Sequence, residues 1–295
     1  MSTTGLSFTR LPVAPRAPHS HCWVPDRQRH RDPYRIPGGF RRSGSGRCEL
    51  SRPEEKILSD AVRKPGPLEN RILAGLSRKE YARVAPDLQH VTLSADQVLY
   101  EPGVAMHWAY FLDTATVSIL SQAESGASIE VSLVGNEGVI GIPIVFRTLK
   151  LPYRVVVHGP GTARRMKADV LRKEFDRCRR LHELLLQYVH TLIIQLAQSS
   201  ACNQFHTIRQ RLCRWLLTSQ DLSGSDELRS TQESLSQMLG VNRGSANQAA
   251  GSLQKAGLIG YRRGHITILS RSGLETAVCE CYGIIRTEFG RFFPR

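Results

Sequence analysis

Apolar positions between residues 242 and 253 recur at the spacing of one buried helix face. They occupy i, i+3, i+4 and i+7, which predicts an amphipathic helix. Asn242 is a favoured N-cap residue at its start. Gly244 and Gly251 fall on the opposite face, where glycine is about 1 kcal/mol worse than alanine for helix formation. Either a partner approaches the bare backbone closely, or these glycines are neutral. The apolar positions are Ala246, Ala249, Ala250 and Leu253.

A second helix pattern ends just before this helix begins. Ser230 and Glu233 have the spacing of a capping box, and Gly240 is placed to end the helix. Its predicted buried side consists of Leu235, Met238 and Leu239. Two helices joined by a short glycine-containing turn predict a helix-turn-helix, whose second helix can enter a DNA major groove.

The segment that follows predicts a β-hairpin with a basic tip. The sequence "AGLIGYRRGHITIL" contains two short apolar runs around a tight turn. The tip carries Arg262, Arg263 and His265. A basic hairpin beside a helix-turn-helix is typical of a wing that contacts phosphate or the minor groove.

Strand patterns dominate the middle of the chain. A short helix pattern over 68–85 precedes five runs of strand character, which are "HVTLSADQVLY", "WAYFLDTATVSIL", "SIEVSLVG", "GVIGIPIVF" and "YRVVVHG". Turn signals such as "EPG", "ESGA" and "GPG" separate them. Many short strands at this spacing predict a sandwich, barrel or jelly roll.

A long helical stretch is predicted from Ala168 to about Ser219, and two apolar rows run along it. The first row is Leu181, Leu185, Tyr188 and Leu192. The second row is Leu186, Val189, Ile193 and Leu196. A helix that is apolar on two sides must be covered on two sides. We expect one row to pack on the strands and the other on a twin helix across a two-fold axis, with burial inside a single chain as the alternative.

The charge is concentrated at the two ends of the chain. The 295 residues carry a net charge of +14, of which +7 falls in residues 1–67, +2 in 68–204 and +5 in 205–295. A basic balance points to nucleic acid or an anionic membrane surface. Residues 1–67 are rich in proline and lack apolar periodicity, so we expect a disordered basic tail. A basic arm that adds non-specific DNA affinity is the alternative.

The sequence offers little support for a metal site, a membrane span or catalysis. Its seven cysteines are scattered without C-x-x-C spacing, and Cys279 and Cys281 would project to different sides of a helix. We therefore expect reduced, structural cysteines in a cytoplasmic protein, no metal and no cofactor. The most apolar stretch is too short for a membrane span. No nucleophile–base pair or phosphate loop occurs at motif spacing, so no catalytic residue is assigned.

The segment "STQESLSQMLGVNRGSANQAAGSLQKAGLIGYRRGHITIL" resembles the winged helix-turn-helix of the Crp–Fnr family of bacterial transcription regulators. Upstream, "DQVLYEPG", "AYFLDTATVSIL" and "LVGNEGVIG" are similar to that family's ligand-binding domain, so that the resemblance covers about 70–280. It implies an α+β fold with an N-terminal, jelly-roll-like β-roll effector domain, a long dimerisation helix and a C-terminal winged helix-turn-helix. The expected divisions are 1–67, 68–168, 169–204 and 205–295.

The resemblance and the side-chain types together assign the DNA-contacting residues. Base edges are expected to meet Arg243, Gly244, Ser245, Asn247 and Gln248. The DNA backbone is expected to meet Ser230, Thr231, Gln232, Asn242, Arg262, Arg263 and His265. The dimer helix is assigned Leu181, Leu185, Tyr188 and Leu192.

The effector pocket departs from the pattern of cAMP-binding members. The pocket positions would be Gly138, Gly141 and Arg154. However, Gly141 is followed by Ile142 rather than glutamate, and Arg154 by Val155 and Val156 rather than Ala-Ser. Since a buried cyclic phosphate needs a charge partner, we expect no tight cAMP binding and leave the effector unknown. The N-terminal cysteine cluster of oxygen-sensing members is also absent.

These features predict a homodimeric, sequence-specific transcription regulator. Its expected partners are double-stranded DNA with an inverted repeat, a second copy of the chain and RNA polymerase. Two alternatives stay open. One is an enzyme or cyclic-nucleotide-gated module that uses the β-roll differently. The other is an interaction protein with a vestigial DNA-binding domain.

Overall fold

The structure of the chain is a computed structural model, which describes residues 70–124 and 126–292. The predicted tail and the first two residues of the predicted β-roll lie outside the described residues. Two short helices come first, α1 (Arg71–Ala74) and α2 (Arg78–Val84). The Ser77 hydroxyl accepts from the backbone N–H of Glu80, whose carboxylate accepts from the backbone N–H of Ser77. This capping box starts α2.

Eight strands form a β-roll of two antiparallel four-stranded sheets. The strand order is β1-β8-β3-β6 in one sheet and β2-β7-β4-β5 in the other. Fully buried side chains from both sheets form its core, among them Phe111, Leu112, Val117, Val157 and Met166. The strands are β1 (Gln89–Leu93), β2 (Val98–Tyr100), β3 (Trp108–Leu112), β4 (Thr116–Gln122), β5 (Ser128–Val134), β6 (Val139–Ile140), β7 (Arg154–Gly159) and β8 (Gly161–Lys167).

Buried polar groups pair with one another beside this core. Arg164 donates to the Asp113 carboxylate at 2.7 Å, and the two side chains are 7% and 4% exposed. The side-chain amide of Asn70 donates to the carbonyls of Leu112 and Gly138, both at 2.9 Å. These bonds tie the start of α1 to the strands, since a buried polar group is stable only with partners.

The stretch predicted to be helical from Ala168 to about Ser219 is helical, but it is interrupted twice. The structure has three helices, α3 (Ala168–Arg177), α4 (Arg179–Phe205) and α5 (Ile208–Ser223). The backbone is extended at Cys178 and at His206, which interrupts the hydrogen-bond ladder at each place. Thr207 then caps α5, because its hydroxyl accepts from the backbone N–H of Gln210 at 3.3 Å. The apolar spacing continues across both breaks and therefore conceals them.

The two apolar rows of α4 meet different surroundings. Leu181, Leu185 and Tyr188 are at most 1% exposed and pack into the β-roll core of their own chain. Assigning them to the dimer contact is therefore wrong, because no surface of theirs is left for a second chain. The fourth member, Leu192, is half-buried. The second row is the uncovered one: its exposed members are Leu186, Ile193 and Leu196, at 43%, 59% and 39%.

The C-terminal module encloses a second core built on α5. Leu212, Leu216, Leu235 and Leu253 lie at its centre, each fully buried. Its small sheet has the order β10-β11-β9. The elements are β9 (Glu227–Arg229), α6 (Gln232–Leu239), α7 (Arg243–Lys255), β10 (Ile259–Arg262), β11 (His265–Ile268), α8 (Arg271–Ala277) and α9 (Cys281–Phe292).

The last helix, α9, packs back onto α4 rather than onto the module alone. Phe289 and Phe292 contact the β-roll core, and the rings of Phe292 and His190 lie 5.8 Å apart. Tyr282, at the other end of α9, contacts the second core. Within the described residues, no helix is long and apolar enough to cross a membrane.

Candidate nucleic-acid interface

Thr231, rather than Ser230, caps the first helix of the helix-turn-helix. The Thr231 hydroxyl accepts from the backbone N–H of Ser234 at 3.1 Å. The predicted capping box of Ser230 with Glu233 is therefore wrong by one residue. Ser230 and Thr231 both precede the helix pattern in the sequence. Only the backbone conformation decides which of their hydroxyls faces the N–H groups in the first turn of α6.

Ser230 also does not fit its predicted contact with the DNA backbone. Its side chain is 2% exposed, so it cannot reach a phosphate in this conformation. Its backbone N–H instead donates to the carbonyl of Gly264 at 2.9 Å. Gly264 lies in the wing turn, so this bond holds the wing beside the start of α6. Thr231 and Gln232 are exposed, as a phosphate contact requires.

The turn and the start of α7 follow the sequence pattern closely. Gly240 has a left-handed backbone, with φ 61°, a conformation that glycine adopts without strain. Asn242 caps α7 by accepting from the backbone N–H of Ser245 at 2.9 Å. The buried residues of α7 are the four in the predicted stripe, Ala246, Ala249, Ala250 and Leu253.

The outward face of α7 presents only part of the predicted base-contacting set. Arg243, Gly244 and Gln248 are exposed, whereas Ser245 and Asn247 are half-buried. The Asn247 side-chain oxygen is buried and has no hydrogen-bond partner among the described residues. Asn247 must therefore change rotamer before its oxygen can meet a base, whereas Gln248 can do so as it stands.

Arg243 forms an ion pair across the turn with Glu233 of α6. Both side chains remain substantially exposed, at 68% and 47%. Exposed pairs of this kind contribute little stability, so the guanidinium can leave Glu233 for a guanine at small cost. The sequence interpretation placed Glu233 in a cap and missed this partner, because the pairing depends on how α6 and α7 cross.

The wing has the predicted shape. Arg262 of β10 pairs with His265 of β11, and the turn between them has φ 49° at Arg263 and φ 82° at Gly264. Two successive positive φ values match the tight turns that join adjacent antiparallel strands. The turn leaves Arg262, Arg263 and His265 exposed beside Thr231. α7 packs against β10, so the exposed wing residues and the outward face of α7 lie on neighbouring elements.

Comparisons with known proteins agree with this geometry. Residues 210–277 match the family model of the Crp-like helix-turn-helix domain. None of the curated proteins that were compared with the chain matches it. The chain has the Crp/Fnr-type regulator fold. This rests on three similar solved structures. A protein from Eubacterium rectale described as a transcriptional regulator of the Crp/Fnr family is 14% identical, with 70% of this chain and 96% of that one covered and a TM-score of 0.57. FixK2 from Bradyrhizobium japonicum is 14% identical (coverage 65% and 98%, TM-score 0.56), and TTHB099, a regulator of the CRP family from Thermus thermophilus, is 16% identical (coverage 63% and 95%, TM-score 0.54).

In this Crp/Fnr-type fold, packing accounts for the two glycines assigned to an effector pocket. A Cβ on Gly138 would lie 2.5 Å from the Val134 side chain and 2.7 Å from the Tyr188 hydroxyl. Gly141 has φ 102°, a conformation that side chains rarely adopt. Arg154 forms an exposed ion pair with Glu101 at 3.1 Å. Gly138 and Gly141 therefore have structural roles that need no ligand.

The β-roll and the Crp-like module meet at Glu130, a half-buried residue that the sequence analysis missed. Glu130 of β5 accepts from the Trp215 indole at 3.1 Å and from the Ser118 hydroxyl at 2.5 Å. Burial raises the pKa of Glu130 to about 7, although both hydrogen bonds lower it. The His158 ring packs edge-on against Trp215, with 5.4 Å between ring centroids, and burial lowers the pKa of His158.

Three of the cysteines that looked scattered along the chain lie together in space, beside a histidine. Donor atoms of Cys202, His206, Cys279 and Cys281 all lie within 4.8 Å of one another. The expectation that Cys279 and Cys281 share a helix is wrong, because α9 begins at Cys281 and Cys279 precedes it. The expectation of no metal site rested on sequence spacing, which cannot detect residues 77 positions apart that pack together.

Proposed function

We propose that this protein is a sequence-specific DNA-binding transcription regulator that acts as a cytoplasmic homodimer. The observation that carries the proposal is the surface formed by α7 and the wing. It joins an exposed helix face, free of large apolar side chains, to the exposed cations Arg262 and Arg263. A surface of this composition and shape suits a major groove flanked by phosphates.

Different residues of this surface have different roles in the proposal. Arg243 and Gln248 contact base edges, since a guanidinium suits guanine and an amide suits adenine. Thr231, Gln232 and Asn242 contact the DNA backbone, as do Arg262, Arg263 and His265 of the wing. The second group carries no sequence information and supplies affinity that depends on salt.

The uncovered row of α4 supports a homodimer. Ile193 is 59% exposed and is flanked on the same face by Leu186 and Leu196. A twin helix across a two-fold axis would cover this row. The dimer would then place two α7 helices on an inverted repeat with half-sites about 34 Å apart.

The alternative of an interaction protein with a vestigial DNA-binding domain has less support. The caps of α6 and α7, the turn glycine and the basic wing are all in place. We also propose no tight cAMP binding, because Ile142, Val155 and Val156 stand where cAMP-binding members carry glutamate and Ala-Ser, and because Gly138 is packed against Tyr188. RNA polymerase remains a proposed partner that follows from the regulatory function.

Selection of genomic DNA fragments by the full-length protein tests the DNA-binding function. We expect recovery of an inverted repeat, with an affinity that falls steeply as the salt concentration rises. Uniform recovery of all fragments, or no binding at low salt, would contradict the proposal.

Sedimentation of an Ile193→Glu variant tests the dimer. We expect it to be folded but monomeric, because a carboxylate would lie in the centre of the apolar contact. Leu269→Glu is the matched control, since Leu269 is equally exposed at 62% but lies outside α4. A variant at position 193 that stays dimeric would exclude this face.

A further inference from the structure

Three thiols and one imidazole converge where α4 ends and α9 begins. Cys202 lies in the last turn of α4, and His206 directly follows that helix. Cys279 precedes α9, and Cys281 is its first residue. The Sγ atoms of Cys202 and Cys279 are 3.6 Å apart, and Cys281 Sγ lies 3.4 Å from His206 Nδ1. All three cysteines are buried.

Both of these separations are close to the edges of a tetrahedron around one metal ion, and the other donor pairs lie within 4.8 Å. With bonds of about 2.3 Å to sulfur and about 2.0 Å to nitrogen, tetrahedral zinc gives S–S edges of about 3.8 Å and S–N edges of about 3.5 Å. Thiolate and imidazole donors suit zinc, and four protein ligands are typical of a closed structural site. We propose that Cys202, His206, Cys279 and Cys281 bind a single Zn²⁺ ion.

The surroundings of the cluster provide the support that a ligand set requires. The other ring nitrogen of His206, Nε2, lies 3.2 Å from a carboxylate oxygen of Glu280. Histidines that bind metals commonly donate this second N–H to a carboxylate, which fixes the tautomer and orients the ring. The side-chain amide of Gln198 lies 3.1 Å from Cys281 Sγ, placed to donate to that sulfur. Neither contact occupies His206 Nδ1 or removes a sulfur atom from the set, so all four atoms can bind one ion.

A disulfide or an iron–sulfur cluster fits the arrangement less well. A Cys202–Cys279 disulfide would close the 3.6 Å gap to about 2.05 Å and would give neither His206 nor Cys281 a role. An iron–sulfur cluster distributes its ligands over separate iron atoms, which requires a wider ligand set than one within 4.8 Å. The compact mixture of sulfur and nitrogen donors favours one ion.

The position of the site suggests what the ion does. The segment that matches the Crp-like domain, residues 210–277, lies entirely between His206 and Cys279. The ion therefore links the two ends of the C-terminal module to each other and to the end of α4. Loss of the ion would free both ends of the module and lower its stability. An effect on DNA affinity rests on the proposed function, whereas metal binding itself does not.

Metal analysis of the full-length protein, purified under reducing conditions without chelator, tests the site. We expect one zinc per chain by mass spectrometry. After exchange, Co²⁺ should give the visible bands of tetrahedral cobalt and a thiolate charge-transfer band. The double substitution Cys22→Ala and Cys48→Ala serves as the background, so that neither of these cysteines contributes to the signal.

Three substitutions locate the ion within this background. Cys202→Ala and Cys279→Ala should abolish the cobalt spectrum, and Glu280→Gln should weaken zinc binding about 10-fold to 100-fold while the fold is kept. Cys213→Ala is the matched control, since Cys213 is equally buried but lies in the other core. A reduced, folded protein without zinc or cobalt bands would overturn the proposal, as would an ion that survives Cys202→Ala.

Melting and DNA binding with and without a zinc chelator separate this proposal from the function. We expect the chelator to lower the melting temperature of the background protein but not that of Cys202→Ala. Zinc binding without any DNA binding would refute the proposed function and keep the site. DNA binding by a protein that holds no metal would refute the site and keep the function.

Discussion

The β-roll and the C-terminal module are assembled from contacts of different range along the chain. In the β-roll, β1 pairs with β8, which joins Gln89 to Arg165, and the pair of Asp113 with Arg164 spans 51 residues. In the module, α6 and α7 are neighbours in sequence and in space, and each begins at its own cap. The β-roll therefore depends on contacts between segments that are far apart in sequence, whereas local signals specify most of the module.

Among the predictions that test this comparison, removing the buried ion pair should cause the largest loss of stability. We expect Arg164→Leu to destabilise the protein by about 3–5 kcal/mol, because it leaves the Asp113 carboxylate buried without its cation. Urea unfolding measures the loss. Arg154→Leu is the control, since it breaks an exposed pair with Glu101 and should cost at most about 1 kcal/mol. Equal losses in the two variants would contradict the central role of distant buried contacts.

The contact that joins the two regions should weaken as the pH rises. The pKa of Glu130 is about 7 in the folded protein, against a usual value of 4.5. The folded protein therefore binds more protons than the unfolded chain between about pH 4.5 and 7, and its stability falls as the pH rises through this window. The full change is up to about 3 kcal/mol, at about 1.4 kcal/mol per pKa unit.

Melting of wild type and Glu130→Gln between pH 5 and 8 measures this change. The lowered pKa of His158 acts in the opposite direction, because an unfolded histidine gains its proton first as the pH falls. Since His158 is present in both proteins, its contribution cancels in their difference. A difference that does not depend on pH would exclude the titration of Glu130.

Within the module, substitutions in α7 and in the wing should change DNA binding in different ways. Arg243→Ala should cost about 1–3 kcal/mol on the best DNA site and relax the preference at one base pair per half-site. Arg263→Ala should weaken binding to all sequences alike and reduce the salt dependence by about one unit. Binding-site selection at two salt concentrations compares them. If only Arg263→Ala changes the preferred sequence, the two roles are reversed.

The smallest expected effect concerns Gly251, one of the two glycines on the outward face of α7. A Cβ on Gly251 would meet nothing within 4 Å, so Gly251→Ala should stabilise the fold by about 0.5–1 kcal/mol. Gly290→Ala on α9 is the control, since a Cβ there is equally unobstructed. If only Gly251→Ala loses DNA affinity, the bare backbone lies against DNA; if neither variant does, the glycine is neutral.

Local chemistry in the sequence determined the helix-turn-helix and the wing. The alanine stripe of α7, the Asn242 cap, the left-handed Gly240 and the basic hairpin each depend on a few consecutive residues, so pattern and structure agree there. The same local signals placed the cap of α6 one residue too early and missed the breaks at Cys178 and His206. The direction of the backbone decides which residue caps α6 and where the helices break, and apolar spacing does not reveal that direction.

Tertiary structure alone decided which row of α4 is covered and where the cysteines meet. The two rows of α4 are similar in composition, and only packing on the β-roll buries Leu181, Leu185 and Tyr188 while it leaves Ile193 exposed. Cys202 and Cys279 are 77 residues apart, and nothing in their local sequence predicts that they meet. They become neighbours because α9 folds back onto α4, and contacts between such distant segments follow from packing rather than from any spacing along the chain.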